Sequence, residues 1–335
     1  MRFILIGFVA FLLNSCAMTS LTMQKINGIS FVAARDSIKG EHIKPVANIH
    51  ANYVAIMPFG FISNLQHPQI VYNSNRQWFG ETAKGVKQYI KSFKSSGMAV
   101  MIKPQLWVSR GEFTGLIKMN NEKAWRELED SYLNFILDYA RVAQEMDVAI
   151  FCIGTELETF IDYRPEYWKH VIERIRKVYS GKLTYAANWN EFNRTPFWND
   201  LDFIGVDAYF PVSELKTPTV EDCLEGWGLY KTELKEFSER LDKPILFTEF
   251  GYRSIDFSGK EPWNYDRRLN VINLEAQVNT TQALFESFWD EPWFAGGFLW
   301  KWFHKHDDSG GKNNIMFTPQ NKPAENLIKD WYSRY

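Results

Sequence analysis

Cysteine is scarce: the chain of 335 residues carries three, Cys16, Cys152 and Cys223. That is too few for a disulfide framework. Cys152 stands in an apolar strand pattern and Cys223 in a helical one, so both read as separate buried thiols. Charge of one sign is missing as well, since 38 Lys and Arg against 40 Asp and Glu leave a net charge of −2. Without a basic run there is no counterion release to favour nucleic acid and no polybasic patch for anionic lipid, so neither is an expected partner of the folded body. No apolar run is long enough to span a bilayer; the stretch Phe3 to Leu13 falls short. No G-x-G-x-x-G follows the first strand pattern, which argues against an open dinucleotide-binding sheet. No cofactor is expected.

What the chain does hold is apolar and aromatic. Hydrophobic residues make up 45% and charged residues 23%, the balance of a globular protein. Aromatics reach 16%. So many flat rings suit a large core and also a cleft that grips molecules with apolar faces and polar edges, as sugars have.

The N-terminus reads as a leader. Arg2 and the run Phe3 to Leu13 have the form of a signal peptide, and the ending Leu13-Asn14-Ser15-Cys16 resembles a bacterial lipobox. That resemblance implies lipidation at Cys16, with residues 1–15 as the signal peptide, 16–25 as an anchor segment and 26–335 as the folded domain. The expected product is an exported lipoprotein, periplasmic or at the cell surface, held to the membrane by its lipid alone. The alternative is an ordinary leader cleaved near Ala17 to Ser20, with Cys16 discarded.

From Ile26 onward short apolar runs alternate with amphipathic stretches, with no Pro-, Gly- or Ser-rich linker between them. Eight runs read as strands: Ile26 to Ala33, Ala51 to Phe59, Met98 to Trp107, Val148 to Glu156, Lys182 to Trp189, Phe203 to Tyr209, Pro244 to Phe250 and Gly296 to Trp302. Between them Trp125, Leu128, Tyr132, Phe135, Tyr139, Ala143 and Met146 recur at helical spacing over 121–146, with Asn120 or Asn121 able to cap the start. Trp168, Val171, Ile172, Ile175 and Val178 form a second stripe, and Leu274, Val278, Thr281, Leu284, Phe285 and Phe288 a third within 269–289. Short apolar strands joined by helical crossovers favour parallel pairing with both faces covered. The fold class expected is therefore α/β, a single (β/α)8 TIM barrel.

In such a barrel chemistry belongs at the C-terminal ends of the strands. Strand four runs uncharged from Val148 to Thr155 and ends on Glu156; strand seven, beginning at Pro244, carries Glu249 after Thr248. Two glutamates at one mouth suit glycoside hydrolysis with retention, in which one carboxylate attacks and the other serves as acid and then base, roughly 5 to 5.5 Å apart. The charge of the first raises the pKa of the second and keeps it protonated.

The motifs Ile153-Gly154-Thr155-Glu156-Leu157, Phe203-Ile204-Gly205-Val206-Asp207-Ala208-Tyr209, Phe247-Thr248-Glu249-Phe250-Gly251-Tyr252 and Gly296-Gly297-Phe298-Leu299-Trp300-Lys301-Trp302 resemble glycoside hydrolase family 113, within the clan of retaining (β/α)8 enzymes. So does the stretch Phe317-Thr318-Pro319-Gln320-Asn321-Lys322-Pro323-Ala324. The resemblance implies β-1,4-mannanase activity on β-mannan or manno-oligosaccharides, with Glu156 as acid/base, Glu249 as nucleophile, Tyr209 orienting the nucleophile and Trp300 as platform under the sugar. Where most of the clan has Asn before the acid/base this chain has Thr155, which leaves the contact to the sugar 2-hydroxyl open; Asn188 is a candidate for it.

Other residues admit two readings. Asp207 shares a face with Tyr209 and is either a substrate hydrogen-bonder or a structural anion. Trp107 and Trp189 either stack on sugar or pack beneath the rim. Lys103, within Val100-Met101-Ile102-Lys103-Pro104, is costly to bury unpaired, so a carboxylate or a sugar hydroxyl should lie beside it. Glu158 reads as a loop residue or a supporting partner. The run His304-Lys305-His306-Asp307-Asp308 invites a metal, but the other histidines lie mostly away from strand ends, so no catalytic metal is expected. The rival functions are a related retaining β-glycosidase acting on another glycan, a glycan-binding lipoprotein without turnover, and a metal-dependent barrel hydrolase. A monomer is expected.

Overall fold

The computed structural model describes residues 24–335. Cys16 and the leader lie outside the described residues. Eight parallel strands close a barrel: β1 (Ile26–Phe31), β2 (Tyr53–Ile56), β4 (Ala99–Ile102), β6 (Ile150–Thr155), β7 (Lys182–Asn188), β8 (Ile204–Asp207), β9 (Ile245–Phe250) and β10 (Phe294–Trp302), with β10 returning to pair with β1. These are the eight runs expected from the sequence.

Strands two and three are each interrupted by proline. Pro58 follows β2 and Pro104 follows β4, and a proline has no N–H to give the ladder. Past them the same pairing resumes without a slip as β3 (Phe59–Ile62) beside β5 (Gln105–Val108), a two-stranded extension above the rim. The amides of Lys103 and Gln105 still reach the carbonyls of Ile56 and Pro58, each at 2.9 Å, so the two strands stay bonded across the break.

Helices α1 (Gly40–Asn48), α2 (Ala83–Ser95), α3 (Glu122–Glu145), α4 (Glu158–Tyr163), α5 (Pro165–Arg176), α6 (Val220–Leu241), α7 (Leu274–Phe288) and α8 (Pro323–Tyr332) surround the barrel. Helix α3 begins at Asn121, whose side chain accepts from the Ala124 amide at 2.9 Å, and its stripe from Trp125 to Ala143 is buried. Helix α7 starts five residues later than the apolar pattern suggests, because Asn273 caps it through the Ala276 amide. The crossover from β7 to β8 departs from the expected pattern. It contains two short 3-10 turns, Phe192–Arg194 and Trp198–Asp200, and no α-helix, in a stretch broken by Pro196.

Two apolar layers result. One lies between strands and helices; the other fills the barrel with Ile26, Ala55, Met101, Ile150, Cys152, Ala186 and their neighbours. Cys152 and Cys223 are free and buried in these layers. The wall closes through the chain ends: Asn27 donates to the Tyr332 carbonyl at 3.1 Å, and the Tyr332 hydroxyl donates to the Gly28 carbonyl at 2.8 Å. Among the described residues no helix is long and apolar enough to cross a membrane.

Candidate active site

Four strand ends meet at the mouth. Glu249, near the end of β9, is 6% exposed and receives three donors. Lys103 Nζ and Gln105 Nε2 both donate to its Oε1, the amide at 3.1 Å, and the Tyr209 hydroxyl donates to Oε2 at 2.7 Å. A carboxyl on the seventh barrel strand held by three groups, two from the third strand and its extension and one from the end of the sixth, has a single orientation. Burial and the nearby Glu249 and Asp207 hold the Tyr209 hydroxyl well above the ordinary phenol range, so it keeps the proton it donates.

Lys103 sits beneath, with no exposed surface. Its ammonium also lies 3.4 Å from both oxygens of Asp207, whose Oδ1 accepts from the Thr248 hydroxyl at 2.7 Å. Burial alone pulls the Lys103 ammonium down, but the charges of Asp207 and Glu249 outweigh it and hold it above the usual lysine range. Burial, with the charge of Glu249, raises Asp207 against the opposing pull of Lys103. The sequence offers a substrate contact or a structural anion for Asp207, and a sugar hydroxyl or a carboxylate as the neighbour of Lys103. Fully enclosed, they bond to each other, to Thr248 and to Glu249. The burial that made Lys103 conspicuous in the sequence is also what keeps it from the solvent side of the mouth.

Glu156 follows β6 with φ at +49°, in the left-handed region that residues with a side chain seldom occupy. Its amide donates to the Ala186 carbonyl at 2.8 Å, and its carbonyl accepts from Thr114 at 3.3 Å. Its carboxyl has no hydrogen-bond partner among the described residues and remains partly exposed. Enclosure by the surrounding protein, then the charges of Asp207 and Glu249, push it well above the ordinary carboxylate range, offset in part by Lys103. One glutamate is thus fixed by donors and the other left free to donate.

The remaining sequence candidates lie around this cluster. Trp300 has the Lys103 ammonium 5.9 Å and the Lys301 ammonium 5.0 Å from its ring centre. Asn188 pairs in register with Asp207, and its Oδ1 accepts from the Trp189 amide at 2.8 Å. Trp189 stacks on Trp263, with ring centres 5.3 Å apart. Trp107 lies on β5, outside the barrel wall and half exposed, near Gly111, whose carbonyl accepts from Tyr265 at 3.0 Å. Trp107 thus stands on the strand extension and Trp189 directly after β7. Glu158 opens α4 and pairs with Arg194. His306 bonds Glu325 at 2.7 Å, and among the described residues no three His, Cys, Asp or Glu side chains are grouped to hold a metal.

Gln105 was missed in the sequence. It is two residues beyond Lys103 and shares its face, a signal available from strand alternation but hidden by Pro104. The stretch Phe317–Ala324 underpins the site from outside: Phe317 packs edge-on against Tyr209 with ring centres 6.0 Å apart, and Gln320 bonds the Phe303 amide and carbonyl at 2.7 and 3.0 Å.

Similar proteins share this frame. A GH113 β-mannanase from Alicyclobacillus acidocaldarius, solved in complex with ManMIm, superposes with a TM-score of 0.79 at 25% identity over 92% of this chain and 97% of its own. A second GH113 β-1,4-mannanase gives 0.77 at 24% identity, over 93% of this chain and all of its own. The β-glucuronidase of Ruminococcus gnavus shares the fold at a TM-score of 0.61 and 16% identity, this chain covering half of it. No curated protein matches the sequence. The model of glycoside hydrolase family 113 matches residues 33–322, from just after β1 to the residue before α8, with all four strand-end motifs inside it; the chain belongs to that family and is a glycoside hydrolase.

Proposed function

We propose that the enzyme hydrolyses β-1,4-mannosidic bonds, in β-mannan or manno-oligosaccharides, with retention of configuration. The observation that carries the mechanism is the asymmetry of the two glutamates. Three donors fix Glu249, which suits a nucleophile that must meet the sugar carbon in one orientation. Glu156 is unbonded and held protonated, which suits a general acid. In this reading Glu249 attacks the anomeric carbon while Glu156 gives its proton to the departing oxygen. Glu156, now ionised, then takes a proton from water, whose oxygen displaces Glu249 and completes the double inversion. Trp300 offers a flat face for the sugar at the point of cleavage. The β-mannan substrate is inferred from the β-mannanases of the same family.

Replacing each glutamate tests the roles. Glu249→Ala should abolish turnover of every substrate. Glu156→Ala should cripple cleavage of natural β-mannosides yet largely spare glycosylation by an activated aryl mannoside, and added azide should then yield a β-azide. Azide with Glu249→Ala should give an α-azide, read as the anomer by NMR. The reverse pattern would exchange the roles, and full activity in either variant removes that residue from the mechanism. Hydrolysis of a panel of mannan, glucomannan, xylan and cello-oligosaccharides tests the substrate; preference for one of the last two overturns it.

A further inference from the structure

The left-handed backbone at Glu156 needs something to hold it, since such a conformation persists in a residue with a side chain only where its surroundings over-determine it. The next amide shows what does so. Leu157 N–H donates at 2.6 Å to the hydroxyl of Tyr185, on the outward face of β7. That hydroxyl donates at 3.0 Å to Oε1 of Glu191, whose Oε2 accepts the Asn188 amide at 3.1 Å. Tyr185 has no exposed surface and Glu191 2%. The Tyr185 ring packs among Trp168, Phe197 and Trp198, in the layer behind the strands.

We propose that Tyr185 and Glu191 are positioning residues for Glu156, a relay that pins the turn after β6 so that this carboxyl points at the departing oxygen. A buried carboxyl bonded only to a tyrosine hydroxyl and a backbone amide has no ion-pair partner within bonding distance, so its burial is not explained by charge pairing. Its position is explained by what it holds. The Tyr185 hydroxyl is shared between one acceptor and one donor, and turning it away from Leu157 would leave a buried amide unpaired. A separate surface link, Arg194 to Glu158 and at 3.3 Å to Asp162, ties the same two segments together, so the fold keeps its connection when the buried relay is cut.

The inference rests on the reading of Glu156 as acid/base, and the experiment separates the two. kcat/KM reports the glycosylation step and is to be measured for wild type, Glu156→Ala, Tyr185→Phe and Glu191→Gln, on aryl and alkyl glycosides of whichever sugar the wild type cleaves, over a range of leaving-group pKa. A misplaced acid hurts poor leaving groups selectively, whereas partial unfolding scales every substrate by one factor. Tyr185→Phe should lose about tenfold or more on alkyl glycosides and less than about twofold on dinitrophenyl glycosides, with KM little changed. Glu191→Gln, which keeps an acceptor for Tyr185, should fall between it and the wild type. A leaving-group dependence in Tyr185→Phe equal to that of the wild type, or an equal loss on all substrates, overturns the positioning role while Glu156→Ala still shows the acid's signature. Wild-type rates on alkyl glycosides in Glu156→Ala would instead overturn the reading of Glu156 itself.

Discussion

With Lys103 changed to Met, Asp207 and Glu249 would share a sealed space without their cation. Removing one partner of a buried pair costs about 3–5 kcal/mol where the survivors are ionised, because their charge is then unsolvated and unpaired. The loss should appear as a lower midpoint in urea. It should also depend on pH. Asp207 is already raised to about 7 in the intact protein, by burial and by Glu249, and without Lys103 it rises further. A carboxyl raised on folding favours the folded state fully below its unfolded pKa of about 3.9, and that contribution is lost as pH climbs through the folded value. The deficit of Lys103→Met should therefore be small near pH 5 and large at pH 8, and equal deficits at both would contradict the account. Glu156 sets a second expectation of the same sign. Acting as a protonated acid, it should give kcat/KM an alkaline limb that disappears for Glu156→Ala assayed on an activated aryl glycoside.

At the scale of elements, β6 shows how finely the site is built into the wall. Gly154 leaves room for the Tyr132 hydroxyl, Trp168 and Tyr185; a Cβ there would stand 2.8 Å from the first and 3.2 Å from the last. Gly154→Ala should thus cost about 1–3 kcal/mol of stability by overpacking and disturb the turn at Glu156 as well, seen as a lower melting temperature and reduced kcat. Asn121→Ala, far from the mouth, should cost about 1 kcal/mol through loss of the α3 cap and leave kcat unchanged. The strands and the long helix were legible in the sequence because each is a periodic run: the stripe from Trp125 to Ala143 is what faces the barrel. The proline breaks were written there too, at Pro58 and Pro104, but an apolar run read straight through them. Glu156, Glu249 and Lys103 stood out as charge in apolar strands. Tyr185 and Glu191 did not, since an aromatic inside a strand reads as core and a glutamate in a loop as surface. What joins them to Leu157 is a contact across 28 residues that no local pattern records. The helix-free crossover after β7 was missed for the opposite reason: a barrel rule supplied a helix where the local residues lack a helical stripe.

The whole molecule is a wall closed by its two ends, β1 against β10, with α8 bonded to Asn27 and Gly28. Lipidation at Cys16, which we propose from the lipobox-like sequence, is tested by Cys16→Ala in the native host. The variant should leave the membrane fraction for the soluble one, and retention in the membrane refutes the anchor. The direction of β1 gives that anchor a further meaning. Every barrel strand runs the same way, and the glutamates stand where the strands finish, so Ile26, where β1 begins, is at the opposite pole. The described chain therefore enters the barrel at its floor. Were Cys16 lipidated as proposed, a tether entering at the floor would leave the mouth, at the other pole, open to a polysaccharide too bulky to pass between protein and bilayer.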